Sequence, residues 1–136
     1  MLTDRMWARS TWEQFQLFAE GNVTWAYEFR DRNAPSYLPF PPTFPPGAFH
    51  AAEVPYLFVD DEFTAAATPD QRALSDRMIR YWANFARHGN PNGADLPTWA
   101  AFADDNYVHG LGPGSDGTRR VDYVGDHHLD FWQNQP

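Results

Sequence analysis

Residues 23–29, VTWAYEF, set the tightest limit on what this chain can fold into. Val23, Trp25, Tyr27 and Phe29 alternate with Thr24, Ala26 and Glu28, which is the period of a strand. Thr24 and Ala26 are small enough for the second face to be covered as well. A strand covered on both faces belongs inside a sheet of parallel strands flanked by helices. The helices are legible. In STWEQFQLFAEGN, Ser10 and Glu13 have the spacing of a capping box, and Gly21 is placed to close the far end. In TPDQRALSDRMIRYWANFARHGNPNG, Thr68 is a cap, Pro69 takes the first helical position and Gln71 completes a second capping box. Leu74, Met78, Tyr81, Trp82 and Phe85 form one apolar stripe there, and Gly89 ends the helix. Parallel neighbours for the strand are not evident in the pattern. Its companions are expected outside these residues, and the chain reads as part of a sheet domain with uncovered apolar surface.

Residues 30–49 hold six of the 12 prolines, too many for a helix or a central strand. Tyr37, Phe40, Phe44 and Phe49 favour an ordered, packed loop there. A short helix is expected through AAEVPYLF. NYVHGL and TRRVDYV read as two strands around the turn GPGSDG, and the chain closes on HLDFWQ. No internal repeat and no linker divides it.

Composition removes several classes of function. With a net charge of −8, the chain is not expected to bind nucleic acid or an anionic membrane surface. It has no cysteine, so disulfides, thiolate metal sites and cysteine catalysis are excluded while the compartment stays open. No run approaches the ~20 apolar residues of a membrane span. MLTDRMWARS lacks the layout of a signal peptide. An aromatic share of 17% argues against a disordered tail.

The candidate chemistry thins out on inspection. GPGSDG has G-x-G-x-x-G spacing, but a strand-like segment follows it where a dinucleotide site needs a helix, so a hairpin turn is expected. DHHLD gathers Asp126, His127, His128 and Asp130. Adjacent histidines in an extended segment point to opposite faces, so surface histidines are expected and no metal site. Asn22-Val-Thr is a glycosylation sequon that runs into the strand. Ser10, Ser36, Ser75 and Ser115 all lie outside G-x-S-x-G, so no local signal marks a nucleophile.

His50, in GAFHAAEVPYLF, is different. It follows the strand by one long loop, so its imidazole would emerge where the C-terminal ends of the strands lie, the edge that carries active sites in open α/β sheets. Gly47 and Ala48 leave room for close backbone approach. Glu53 stands one turn further on, able to orient neighbouring groups.

GAFHAAEVPYLF resembles the catalytic-histidine motif of the type B carboxylesterases, the family of cholinesterases and bacterial p-nitrobenzyl esterases. The order of the surroundings agrees. LTDRMWARSTWEQFQLFAEGNVTWAYEF is similar to the family's helix leading into the strand before the histidine. MIRYWANFARHGNPNG with LPTWAAF resembles its late helix and the segment after it, and VDYVGDHHLDFWQ its ending. The resemblance spans nearly all of residues 2–133.

It implies the C-terminal part of an α/β-hydrolase: a penultimate strand, the catalytic-histidine loop, helices and a terminal hairpin around an incomplete sheet, with residues 1–136 as one portion of a single domain. It further implies His50 as general base and Glu53 as a supporting carboxylate, with the nucleophilic serine, the acid and the oxyanion hole upstream. A small carboxylic ester would be the substrate, the upstream part of the domain the partner, and no cofactor is implied. Two alternatives stand beside this reading. One is a binding or adhesion protein that keeps the fold without the triad. The other is a free-standing, aromatic-rich binding module.

Overall fold

The computed structural model describes residues 3–35 and 43–135. Among them the chain forms six α-helices and three strands: α1 (Arg9–Ala19), β1 (Ala26–Phe29), α2 (Val54–Leu57), α3 (Asp61–Ala66), α4 (Pro69–His88), β2 (Val108–Leu111), β3 (Thr118–Val121), α5 (Tyr123–Asp126) and α6 (Leu129–Gln133). The strands pair in the order β1-β2-β3. Phe102 N donates to Thr24 O at 2.7 Å and Arg30 N to Leu111 O at 2.8 Å. Both bonds advance with residue number on each side, so β1 and β2 run parallel. β2 and β3 are the arms of a hairpin closed by Gly112 N on Gly117 O at 2.9 Å. GPGSDG is therefore the hairpin turn.

This corrects one expectation. β1 has a parallel neighbour within the chain, because the segment from α2 to α4 is long enough for the crossover that parallel pairing requires. Each strand is only four residues long, too short for alternation alone to reveal its partner.

The chain divides into two compact units. The first comprises residues 1–27, 100–109 and 120–136. Its core is Ala8, Trp12, Ala26, Phe102, Val108, Val121, Tyr123 and Leu129. Trp12 is the hub, edge-on to Phe102 at 5.2 Å and stacked on Tyr123 at 5.9 Å. Arg9 reaches the last turn of the chain, donating to Trp132 O at 3.2 Å and Gln135 O at 3.4 Å.

Ser10 is not a cap. A wider π turn over Asp4–Ala8 precedes α1, with Arg9 N on Asp4 O, so Ser10 lies inside a helical run and its hydroxyl donates back to Met6 O at 3.1 Å. A serine within a helix commonly satisfies its hydroxyl in this way. Glu13 pairs with Arg9 on the exposed face at 3.2 Å.

The second unit comprises residues 28–99 and 110–119 and is built on α4. Both halves of its capping box form: Gln71 N donates to Thr68 Oγ1 at 3.3 Å and Thr68 N to Gln71 Oε1 at 2.8 Å. Gly89 then closes the helix in the left-handed conformation, φ 67°. The buried face is Gln71, Leu74, Ser75, Met78 and Tyr81. The expected stripe is thus rotated: Trp82 is half-buried and Phe85 exposed. The rotation brings Tyr81 against Trp99, edge-on at 5.2 Å, with its hydroxyl on Pro97 O at 2.6 Å. Asn92 fixes Trp99 by accepting from its backbone N and donating to its O, both at 2.8 Å.

Thr68→Ala removes the acceptor for Gln71 N and should lower stability by about 1 kcal/mol, read as a shifted urea midpoint at unchanged slope.

α3 has no counterpart in the sequence reading, although Asp60 carries a signal for it. Its carboxylate caps the helix, accepting from Phe63 N at 2.7 Å, and Asp61 and Glu62 fill the first turn.

Candidate active site

The turn that carries His50 is built from two left-handed residues. Gly47 has φ 66° and Ala51 has φ 67°. Glycine adopts that conformation freely, whereas for alanine it is strained, and strain of this kind persists only where surrounding structure holds it. Local backbone bonds close the turn: Ala52 N on Phe49 O at 3.0 Å, Val54 N on Ala51 O at 3.1 Å and Tyr56 N on Glu53 O at 3.0 Å. His50 is exposed on this turn, while Ala52 and Tyr56 are buried beneath it. Glu53 is half-buried at the head of α2, where Pro55 falls in the first turn. His50 and Glu53 thus share the entry to α2.

A buried carboxylate underlies the segment, and sequence reasoning misses it. Asp31, two residues beyond β1 and 2% exposed, accepts from the Tyr56 hydroxyl at 2.5 Å, Gln71 Nε2 at 2.8 Å and Asn33 N at 2.8 Å. Its donors come from three separate stretches, so no local motif announces it.

The other candidates resolve as follows. Ser75 is buried and donates to Tyr56 O at 2.7 Å, and Ser115 lies exposed in the hairpin turn. Ser36 lies outside the described residues, as do Tyr37, Phe40 and the prolines at 39, 41 and 42. Phe44 is exposed and Phe49 half-buried.

Residues 123–133 are largely helical, which corrects the extended reading of DHHLD. His127 is half-buried, its Nδ1 3.1 Å from Asp4 Oδ1 and its ring on Tyr123 at 4.5 Å. His128 is left-handed, φ 52°, and exposed at the start of α6. Among the described residues no three His, Asp or Glu side chains gather as metal ligands would.

His109 carries no local signal in the sequence. It is completely buried in β2, its Nδ1 3.1 Å from the Tyr107 hydroxyl, and burial pushes its pKa down to about 4. A cavity of about 390 Å³ opens in the first unit beside Trp12, Asp105, Arg120 and Tyr123, and neither His50 nor Glu53 lines it.

The family model of the carboxylesterases matches residues 1–132. This chain belongs to the carboxylesterase family. Acylcarnitine hydrolase of Rattus norvegicus is 45% identical to it over 87 residues, which are 58% of this chain and 14% of that protein. Liver carboxylesterase 1 of Oryctolagus cuniculus is 31% identical over 126 residues, covering 85% of this chain and 22% of that protein. The chain therefore spans less than a quarter of the length of these carboxylesterases. Among solved structures, an esterase from Clostridium hathewayi superimposes on 88% of the chain and 22% of its own, with a TM-score of 0.61 and 19% identity. That likeness establishes the fold: β1, the loop after it, the helices and the hairpin form part of an α/β-hydrolase fold, with an incomplete sheet of three strands.

Proposed function

We propose that this chain is the C-terminal portion of one serine carboxylesterase domain and supplies its general base, His50. The observation that carries the reading is the placement of an exposed imidazole on a turn held between left-handed Gly47 and Ala51, after β1 and at the entry to α2. The side chain is thereby presented outward from a fixed backbone.

Imidazole suits the task because its ordinary titration range lies closest to neutral pH. In the proposed reaction a serine from the rest of the domain attacks the carbonyl carbon of a carboxylic ester, and its hydroxyl proton passes to His50. The tetrahedral intermediate collapses, the ester C–O bond breaks, and His50 returns the proton to the departing alcohol. Water then repeats the sequence on the acyl-enzyme, releasing the acid and restoring the serine. Glu53 supports the base by its charge at the head of α2 and takes no proton.

Exposed apolar side chains favour a portion over a free-standing module. Trp7, Leu17 and Phe18 are exposed in the first unit, and Phe58 is 75% exposed in the second. Large apolar side chains left in water are the kind of surface that further chain covers.

The isolated chain should show no hydrolysis of an activated aryl ester above that of its His50→Ala variant, because none of its serines stands in an elbow. Turnover well above that control would sink the reading.

A further inference from the structure

We propose that Asp31 is a positioning residue for the turn that carries His50. The inference rests on His50 as general base and adds what holds that base in place.

The chain leaves β1 at Phe29, and Asp31 is buried immediately after it. It returns at Tyr56, six residues beyond His50. The hydrogen bond from the Tyr56 hydroxyl to Asp31 Oδ2 therefore ties together the two ends of the excursion, 25 residues apart in sequence. Among the described residues, the backbone bonds Ala52 N on Phe49 O, Val54 N on Ala51 O and Tyr56 N on Glu53 O run from the turn into α2, and Tyr56 carries α2 to Asp31.

Tyr56 is fixed on every side that counts. Its ring is edge-on to Phe29 at 5.1 Å and to Phe63 at 4.8 Å, and its carbonyl accepts from Ser75 Oγ at 2.7 Å. The third anchor is α4. Gln71 Nε2 donates to Asp31 Oδ2 at 2.8 Å and to Asn33 O at 3.0 Å, while Gln71 Oε1 accepts from Thr68 N. One carboxylate thus joins the exit of the strand, the helix behind the histidine and the capped end of the longest helix. A buried acceptor with several converging donors tolerates little displacement, because any donor left unpaired costs its full desolvation.

Catalysis would feel a loosened joint. Misplacing a catalytic group by about 1 Å can cost on the order of 10²-fold in rate. A positioning role therefore predicts a loss in kcat at unchanged KM.

The test uses the whole carboxylesterase that carries this chain, with kcat and KM for an activated aryl ester measured per folded active site. Tyr56→Phe keeps the ring and removes one donor; it should lower kcat about 10-fold at unchanged KM. Asp31→Asn turns an amide NH2 toward a donor and should lower kcat by about 10- to 100-fold, again at unchanged KM. Asn92→Ala, which unties Trp99, is the control for stability loss in the same unit and should leave kcat per folded site at the wild-type value.

If Asp31→Asn does not fold, Tyr56→Phe decides alone. Wild-type kcat in Tyr56→Phe, or an equal fall in Asn92→Ala, overturns the positioning role. His50→Gln, run alongside, separates the two readings: if that variant stays active, the base assignment itself has failed.

Discussion

Replacing His50 by glutamine in the whole protein should lower kcat by on the order of 10³-fold or more while leaving the fold intact, about 4 kcal/mol of transition-state stabilisation. Glutamine keeps similar bulk and hydrogen-bonding capacity, but in the proposed reaction it could not take the serine proton at neutral pH. The loss should appear in kcat more than in KM, since the proposed base would act on the reacting atoms and not on the bound ester. His50 is exposed, and its strained neighbour Ala51 is unchanged in the variant, so folding should be little affected. Glu53→Gln should fall between wild type and His50→Gln. His127→Gln and His128→Gln should change activity little, because His127 meets Asp4 and His128 lies at the head of α6. The comparison is made at matched folded fraction. Activity of His50→Gln within a few-fold of wild type, with another histidine essential, would overturn the assignment.

What the sequence discloses about this molecule divides by range. α4 is legible from end to end, because Thr68, Gln71 and Gly89 act on backbone groups within one turn of themselves. The hairpin is legible for the same reason: GPGSDG closes on itself. His50 stands out through a pattern of neighbours in a fixed order. The Asp31 joint is not legible, since its donors sit at positions 33, 56 and 71 and meet only when the chain folds. The start of α1 is misplaced by the sequence pattern because Ser10 is equally suited to capping and to bonding back inside a helix. The phase of α4 is hidden because Gln71 and Ser75 are polar yet buried, each drawn inward by a partner that the local pattern does not contain.

β2 gives a second case of burial that the pattern does not announce, and it carries the other large effect. All four of its residues are buried, so alternation does not separate an inner face from an outer one, and His109 is enclosed with them. Desolvation disfavours the imidazolium, and the folded pKa lies at about 4 against an ordinary value of 6.5. The unfolded chain therefore binds more protons than the folded one between these two values. Stability is fully present above pH 6.5 and is lost as pH falls toward 4. The contribution at stake is about 3 kcal/mol, since each tenfold change in proton affinity is worth about 1.4 kcal/mol. The Tyr107 hydroxyl, 3.1 Å from Nδ1, can either donate to a neutral ring or accept from a protonated one, so the acid sensitivity comes from desolvation of the charged ring. His109→Asn places an amide oxygen near the position of Nδ1 and does not titrate. Urea midpoints measured from about pH 7.5 down to 4 should fall more steeply in the wild type than in the variant. The difference between the two curves isolates His109 from every carboxylate that titrates alongside it. Parallel curves would mean that the buried ring is not the group that acid attacks.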